Sequence, residues 1–246
     1  MGGYLAWMTA DNDGIERVLV VTAHPDDVDF GVAGSVATWT DAGIEVSYCI
    51  VTDGEAGGHD VTVPRDDMAA TRRAEQTAAA KVVGVTDLHF LGHPDGRLEP
   101  TLDLRRDIAR VIRRVRPQRV VCQSPERIYV RIYASHPDHL AAGEAALCAV
   151  YPDARNPFAF PELLDEGLEP WSVPEIWMMT AREQDAFVDV TDAFDRKLEA
   201  LLCHVSQHVN PDGLEAMLRG WLTANAERAG MAPGRLAEAY LRIDSA

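Results

Sequence analysis

The sequence predicts an α/β protein: a Rossmann-like, mostly parallel sheet with helices on both faces. Apolar runs without alternation, such as "RVLVVTA" at 17–23, are typical of strands that are covered on both faces. Segments with helical periodicity separate these runs, and this alternation of strands and helices is typical of a parallel sheet. Because no repeat, low-complexity tract or linker interrupts the pattern, residues 1–246 are predicted to form one domain.

The first half of the chain alternates regularly between the two kinds of element. Residues 1–16 show no clear period and are predicted to be a tail or a packed N-terminal arm. Pro64 and Gly84 mark the two ends of the longest helix, as helix termini favour. The predicted strands are 17–23, 44–52, 87–92 and 119–124, and the predicted helices are 31–43, 64–84, 103–117 and 135–150.

The second half is less regular. The segment 151–174 is rich in proline and turn residues, so it is predicted to be a long loop. Two further strands, 175–179 and 186–190, and two further helices, 192–208 and 213–230, follow it.

Composition and charge exclude several classes of partner. The formal net charge of −16 argues against a nucleic-acid partner, since phosphate binding needs clustered Lys and Arg. No apolar run approaches the ~20 residues that a membrane helix needs, and no signal-peptide pattern precedes the first strand. Four widely spaced cysteines, two of them in apolar runs, are predicted to be free thiols, which favours the cytoplasm. The sequence does not decide between a monomer and a homo-oligomer.

Two clusters of histidine and aspartate follow two of the predicted strands. "VTAHPDDVDF" (21–30) places His24, Asp26, Asp27 and Asp29 after the first strand, and "SHPDH" (135–139) lies after the fourth. In each cluster, proline can occupy the first helical position. If the strand order is 3-2-1-4-5, the first and fourth strands are neighbours, and their carboxyl ends form the crevice where ligands bind. The two clusters are therefore expected to meet in space.

The residue types in these clusters are those of a catalytic metal site. Two imidazoles and one carboxylate, with a position left open for water, are a usual ligand set for Zn²⁺. His24 and Asp27 are about one helical turn apart and can face one ion, whereas Asp26 is free to act as a general base. Of His136 and His139, one can bind metal and the other can face a substrate oxygen. Asp138 can fix the tautomer of one of them.

Other patterns are weaker, and each cluster alone is also compatible with helix capping by aspartate. His204 and His208 lie four residues apart on a predicted helix and are predicted to be surface or partly buried histidines. "GHPDG" (92–96) is predicted to be a turn, and Arg72 to lie on a solvated helix face unless it reaches the cleft. "DGEAGG" lacks the Lys and Ser/Thr of a phosphate-binding loop.

With "AHPDDVDFG" and "SHPDH", the sequence resembles the LmbE-like, PIG-L family of zinc-dependent N-deacetylases. "TDGEAGG", "TRRAEQ", "FLGHPDG" and "CHVSQ" fall in the order that the family uses, so the resemblance covers nearly the whole chain. That family includes the deacetylases of mycothiol and bacillithiol synthesis and enzymes that tailor antibiotics.

The resemblance implies a role for each residue of the two clusters. It implies that His24, Asp27 and His139 bind one zinc ion or another divalent metal, and that Asp26 is the general base. It implies that His136 assists at the oxyanion or leaving group with Asp138 behind it, and that Arg72 binds substrate. The sequence departs from the family pattern at two places: Val28 replaces a common Glu, although Asp29 follows, and Ala134 replaces a mobile tyrosine, beside Tyr133.

The expected function is a metal-dependent N-deacetylase that hydrolyses an amide bond of a small molecule. The expected substrate is an N-acetylglucosamine-type conjugate. One alternative is an amidase that cleaves a larger thiol conjugate or a natural-product amide. Another is a non-catalytic Rossmann-like module that binds a sugar or a nucleotide and whose acids only cap helices.

Overall fold

The computed structural model describes residues 8–9, 12–208 and 211–246. In this part of the chain every strand belongs to one sheet. Most of the predicted N-terminal arm lies outside the described residues. The strands are β1 (Met8–Thr9), β2 (Arg17–Thr22), β3 (Glu45–Thr52), β4 (Asp87–His93), β5 (Arg119–Gln123), β6 (Glu175–Met179), β7 (Ala186–Asp189) and β8 (Ala237–Asp244).

Helices cover both faces of this sheet. Their bounds are α1 (Asp27–Gly31), α2 (Ala33–Asp41), α3 (Arg65–Val82), α4 (Leu102–Val115), α5 (Pro137–Cys148), α6 (Glu162–Asp165), α7 (Phe194–Leu202) and α8 (Leu214–Arg228). Among the described residues, no helix is both long enough and apolar enough to cross a bilayer.

The strand order is β1-β7-β8-β6-β5-β2-β3-β4. Read from the β4 end, it contains the predicted order 3-2-1-4-5 as β4, β3, β2, β5 and β6, and all neighbours in this block are parallel. The α/β prediction is thus confirmed. β8 was not predicted; it runs antiparallel between β6 and β7 and makes the sheet mixed.

The side chains of β2 alternate between two hydrophobic cores. Val18 and Val20 belong to the core on one face of the sheet, and Leu19 and Val21 belong to the core on the other. All four are 0–1% exposed. The continuous apolar run therefore arises from a strand buried on both faces, as the sequence predicted.

Two predicted helices differ from the observed ones. The helix predicted over 31–43 begins at Ala33, and a separate short helix, α1, precedes it. The helix predicted over 192–208 ends at Leu202, so His204 and His208 lie in the turn that follows. The predicted loop 151–174 contains α6 and the end of a short π-helix, Ala149–Ala154, and is otherwise irregular. All four cysteines are free, and Cys49 and Cys122 are buried, which confirms the thiol prediction.

A buried lysine joins α7, α1 and β8. Lys197 is 0% exposed, and its Nζ donates to Glu238 Oε1 at 2.7 Å. It also donates to the backbone carbonyl oxygens of Asp29 and Phe30, at 2.8 Å each. Glu238 accepts from the backbone N–H groups of Gly34 and Ser35 as well. Because each group is paired, the buried charges fix α1 and α2 against the sheet.

Removing this lysine is expected to destabilise the fold strongly. Lys197→Met leaves a buried carboxylate and two carbonyl oxygens without their donor, a loss of about 3–5 kcal/mol. For a chain of this size, that loss corresponds to a Tm lower by roughly 10 °C. Calorimetry against Glu215→Gln, which breaks an exposed pair on α8, provides the comparison. Equally small decreases in Tm for both variants would contradict the structural role of Lys197.

Candidate metal centre and active site

The two His/Asp clusters meet at the carboxyl ends of β2 and β5. These strands pair in parallel, with Val21 opposite Cys122. The imidazole centroids of His24 and His136 are 5.1 Å apart, those of His24 and His139 5.2 Å, and those of His136 and His139 5.3 Å. The crevice between two neighbouring parallel strands thus brings together residues more than a hundred positions apart in the chain.

The two clusters have different backbone conformations. In the second cluster, Pro137 begins α5, and Nδ1 of His136 accepts from the backbone N–H of Asp138 at 3.2 Å. In the first cluster, Asp26 has φ 89° and ψ −29°, and the helix begins only at Asp27. The expectation that Pro25 starts a helix is therefore wrong. A left-handed residue other than glycine costs on the order of 1–3 kcal/mol, so the surrounding contacts must hold Asp26 in place.

Asp27 lies between two imidazoles. Its Oδ1 is 3.0 Å from Nε2 of His139, and its Oδ2 is 3.3 Å from Nδ1 of His24. Oδ2 also accepts from the backbone N–H of His24 at 2.8 Å. The nitrogen donors of His24, His136 and His139 lie within 4.8 Å of one another. Imidazole nitrogens and a carboxylate at this spacing are a donor set that fits a divalent transition metal.

The charge around His24 supports the same conclusion. Burial favours the neutral imidazole, but the carboxylates of Asp138, Asp27 and Asp95 outweigh it and raise the pKa of His24 to about 12. The carboxylates thus hold a proton on a group that normally loses it near neutral pH. A metal cation can supply the positive charge that this cluster otherwise takes from the proton.

Asp95 belongs to this site, although the sequence analysis did not include it. Its Oδ1 is 2.9 Å from Nε2 of His24, and its Oδ2 accepts from the backbone N–H of Ala56 at 3.0 Å. The predicted turn at 92–96 is present, since Gly96 has φ 77°, and it directs Asp95 into the crevice. The third occurrence of His-Pro-Asp in the chain was the signal that could have identified this residue.

The Asp138 carboxylate contacts His24 rather than the imidazole of His136. Its Oδ2 is 3.4 Å from Nε2 of His24 and accepts from the backbone N–H of Gly96 at 2.7 Å. Only the backbone N–H of Asp138 bonds to His136. Because this bond occupies Nδ1, neutral His136 carries its proton on Nε2. Burial, together with the charges of His24 and His139, lowers the pKa of His136.

The Asp26 carboxylate pairs with Arg72. Its Oδ2 is 3.1 Å from Nη2 of Arg72. Burial and the neighbouring charge of Asp27 raise the pKa of Asp26 to about 6, while the charge of Arg72 opposes the increase. Asp26 and Asp27 are thus adjacent in sequence but have different partners and different proton affinities.

Arg72 is buried, so its assignment to a solvated helix face is wrong. It is 4% exposed and donates to the carbonyl oxygen of Gly54 at 3.0 Å and to that of Pro25. A Cβ at Gly54 or at Gly57 would lie 2.3 Å or 2.5 Å from Nη1 of Arg72. The glycine-rich loop therefore makes room for the guanidinium, which reaches the site through Asp26.

His204 is also buried, contrary to the sequence expectation. It is 0% exposed, and its Nε2 lies 2.8 Å from Oδ2 of Asp29, which is 0% exposed as well. His208 makes a separate contact, 2.7 Å from Nε2 to the carbonyl oxygen of Leu201. In the described part of the chain, groups of three or more metal-ligating side chains occur only around His24. The side chain of Tyr133 lies outside the described residues.

Comparisons with known proteins place this chain among deacetylases of similar sequence and fold. A family model described as GlcNAc-PI de-N-acetylase, PIG-L, matches residues 19–150, which include both clusters. A diacetylchitobiose deacetylase of Thermococcus kodakarensis is 34% identical over 78% of this chain and 70% of its own. A 1D-myo-inositol 2-acetamido-2-deoxy-α-D-glucopyranoside deacetylase of Rhodococcus erythropolis is 28% identical over 82% of this chain and 85% of its own. The structure of N,N′-diacetylchitobiose deacetylase from Pyrococcus horikoshii with an inhibitor is similar with a TM-score of 0.87 and 29% identity, covering 95% of this chain and 86% of that one.

The pairing with Arg72 is expected to control the acidity of Asp26. In the metal-free protein, Asp26 should lose its proton at a pH of about 6. Arg72→Met removes a positive charge that favours the carboxylate, so the pKa of Asp26 should increase. Carbon-detected NMR titration of aspartate carboxyls measures this change. Arg73→Met is the matched control, because Arg73 pairs with Asp53 instead. An unchanged pKa of Asp26 in Arg72→Met would contradict the pairing.

Proposed function

The chain belongs to the PIG-L family, and we propose that it removes the acetyl group from the amide nitrogen of an N-acetylglucosamine-type substrate in a metal-dependent hydrolysis. The observation that carries this proposal is the separation of two adjacent aspartates. Asp27 faces His24 and His139, while Asp26 is held beside them by Arg72. A metal-activated amide hydrolysis needs both a ligand carboxylate and a separate base.

We assign the metal to His24, Asp27 and His139, with one ion per chain, and we propose that it is zinc. Two imidazoles and one carboxylate are the ligands of many catalytic zinc sites. When bound there, the metal supplies a Lewis acid that acidifies water and polarises the acetamide carbonyl. Asp95 and Asp138 accept at Nε2 of His24, so Nδ1, on the side of Asp27, is the nitrogen that would bind the metal in place of a proton.

Asp26 is proposed to take the proton of the attacking water. Its pKa, near 6 before any metal is bound, makes it mostly a carboxylate at neutral pH, and yet a stronger base than an ordinary aspartate. As the C–N bond breaks, the protonated Asp26 can pass its proton to the leaving nitrogen, so that the amino sugar leaves as a neutral amine. Asp26 thus takes up one proton from water and returns it to the nitrogen, and the products are acetate and the free amino sugar.

His136 is proposed to stabilise the carbonyl oxygen during the attack. Its Nδ1 accepts from the backbone N–H of Asp138, so Nε2–H is free to donate. The low pKa of His136 keeps it neutral, and a neutral imidazole donates a hydrogen bond without adding charge to the crowded site. Asp138 takes part by its backbone contact with His136 and its carboxylate contact with His24.

The main role that we propose for Arg72 is to position the carboxylate of Asp26. Two of its guanidinium nitrogens bond within the chain to Asp26, Pro25 and Gly54. The expectation that Arg72 binds substrate remains a prediction. If it is correct, Arg72→Met should raise KM without changing the metal content.

The acetamide reaction is favoured over the two alternatives. The relatives named above are deacetylases of acetamido sugars, and the imidazoles of His24, His136 and His139 lie close enough together to hold a metal ion, which supports the proposal. Helix capping does not account for the cluster, because Asp27 and Asp138 direct their carboxylates at His24. An amidase for larger conjugates would use the same site and differ only in its substrate.

A panel of acylated amino sugars tests the proposal. N-acetylglucosamine, diacetylchitobiose and N-acetylglucosaminyl conjugates of inositol and malate are each incubated with the protein, and amine release is measured. We expect acetate and free amine in equal amounts, loss of activity with a chelator, and recovery with Zn²⁺. Release from large acyl amides but from none of the acetamides would favour the amidase instead.

Two neighbouring substitutions separate the base from the ligand. Asp26→Asn keeps the shape but removes the basicity, so kcat should fall by roughly 10²–10⁴ while the metal stays bound. Asp27→Ala removes a ligand, so the metal content and kcat should fall together. Metal analysis of both purified variants provides the readout. If Asp26→Asn loses the metal and Asp27→Ala retains it, the two roles are reversed.

A further inference from the structure

The peptide N–H of Asp26 is held by a side chain from α3. It donates to Oε1 of Gln76 at 2.8 Å, and Asp26 has the left-handed φ of 89° at this point. Gln76 lies four residues after Arg72, so both project from one face of α3. Arg72 contacts the carboxylate of Asp26, and Gln76 contacts its backbone.

The orientation of the Gln76 amide is fixed by Asp29. Nε2 of Gln76 is 2.9 Å from Oδ2 of Asp29. A carboxylate only accepts, so Nε2 must face Asp29 and Oε1 is left for Asp26. The same Oδ2 accepts from Nε2 of His204 at 2.8 Å. Gln76, Asp29 and His204 are each 0% exposed, so no solvent contact replaces these bonds.

This network leaves the backbone of Asp26 little freedom. If φ returned to a negative value, the N–H of Asp26 would leave Gln76, and two buried polar groups would lose their partners. Asp29 cannot move to compensate, because Lys197 holds the carbonyl oxygens of Asp29 and Phe30. The network therefore determines where the Asp26 carboxylate points.

We propose that Gln76 is a positioning residue, which holds Asp26 in its catalytic orientation by joining its peptide N–H to the buried Asp29–His204 pair. This inference rests on the proposed function, in which Asp26 is the general base. It assigns a role to Gln76 of "TRRAEQ" and to His204 of "CHVSQ".

Gln76→Leu tests the inference directly. The substitution keeps the side-chain size and removes both hydrogen bonds, so kcat should fall by about 10²-fold, the loss typical of a misplaced catalytic group. KM and the zinc content should stay unchanged, and a crystal structure should show Asp26 at negative φ. Asn225→Leu is the matched control. It removes another buried amide, which bonds to Ala237, and should lower Tm but not kcat.

A reversal of the hydrogen bonds provides a second test. In Gln76→Glu, a second buried carboxylate faces Oδ2 of Asp29, so two acceptors oppose each other. In Asp29→Asn, the carbonyl oxygen of the new amide can still accept from Gln76 and His204, so this single variant should stay close to the wild type. In the double variant, the amide at 29 can donate to the glutamate and to His204, whose Nδ1 has no partner among the described residues and can carry the proton. We expect the double variant to be at least about tenfold faster than Gln76→Glu, a coupling that only interacting residues show.

The possible failures are distinguishable. A wild-type protein that hydrolyses none of the acetamides would refute the proposed function, and this inference with it. If the wild type is active, a Gln76→Leu variant that keeps full kcat, or one that loses zinc, refutes the role of Gln76 and leaves the proposed function intact. If Gln76→Leu does not fold, the double variant decides: without recovery over Gln76→Glu, the network is only structural.

Discussion

Three carboxylates surround one imidazole at the centre of this protein. His24 lies 3.3 Å from Asp27, 2.9 Å from Asp95 and 3.4 Å from Asp138, in a crevice where water has little access. Negative charge at this density is unfavourable unless cations or hydrogen-bond donors compensate it. The backbone N–H groups of Ala56, Gly96 and Leu98 donate to two of these carboxylates. A bound metal cation would complete the compensation, so the negative charge that is unfavourable without a counter-ion gives this site affinity for a metal.

The chemistry depends on the different surroundings of two adjacent aspartates. The left-handed backbone at Asp26 turns its carboxylate to Arg72, while Asp27 begins α1 and faces the histidines. Elements distant in sequence maintain this turn. α3 contributes Arg72 and Gln76, and the segment around α7 contributes Lys197 and His204. A strained backbone conformation of this kind persists only because several surrounding contacts hold it in place.

Periodicity and topology were sufficient to predict most of the fold and the location of the site. The buried β2 and its partners follow from apolar runs, and the meeting of His24 with His139 follows from the neighbouring positions of β2 and β5. Contacts that depend on a distant partner could not be predicted. β8 carries the buried Glu238, which is stable there only because Lys197 on α7 pairs with it. The burial of His204 depends on Asp29, 175 positions away, which accepts a hydrogen bond from its Nε2. Asp95 reaches His24 only through the geometry of one turn.

The position of the metal tests the central claim most directly. Crystals grown with Zn²⁺ and measured on both sides of the zinc absorption edge show the ion as an anomalous peak. The account predicts one peak per chain, within bonding distance of His24, Asp27 and His139, with Asp26 and His136 beside it but not bound to it. A peak held by His24, His136 and His139 without Asp27, or one bound through Asp26, would contradict the division between ligand and base on which the mechanism rests.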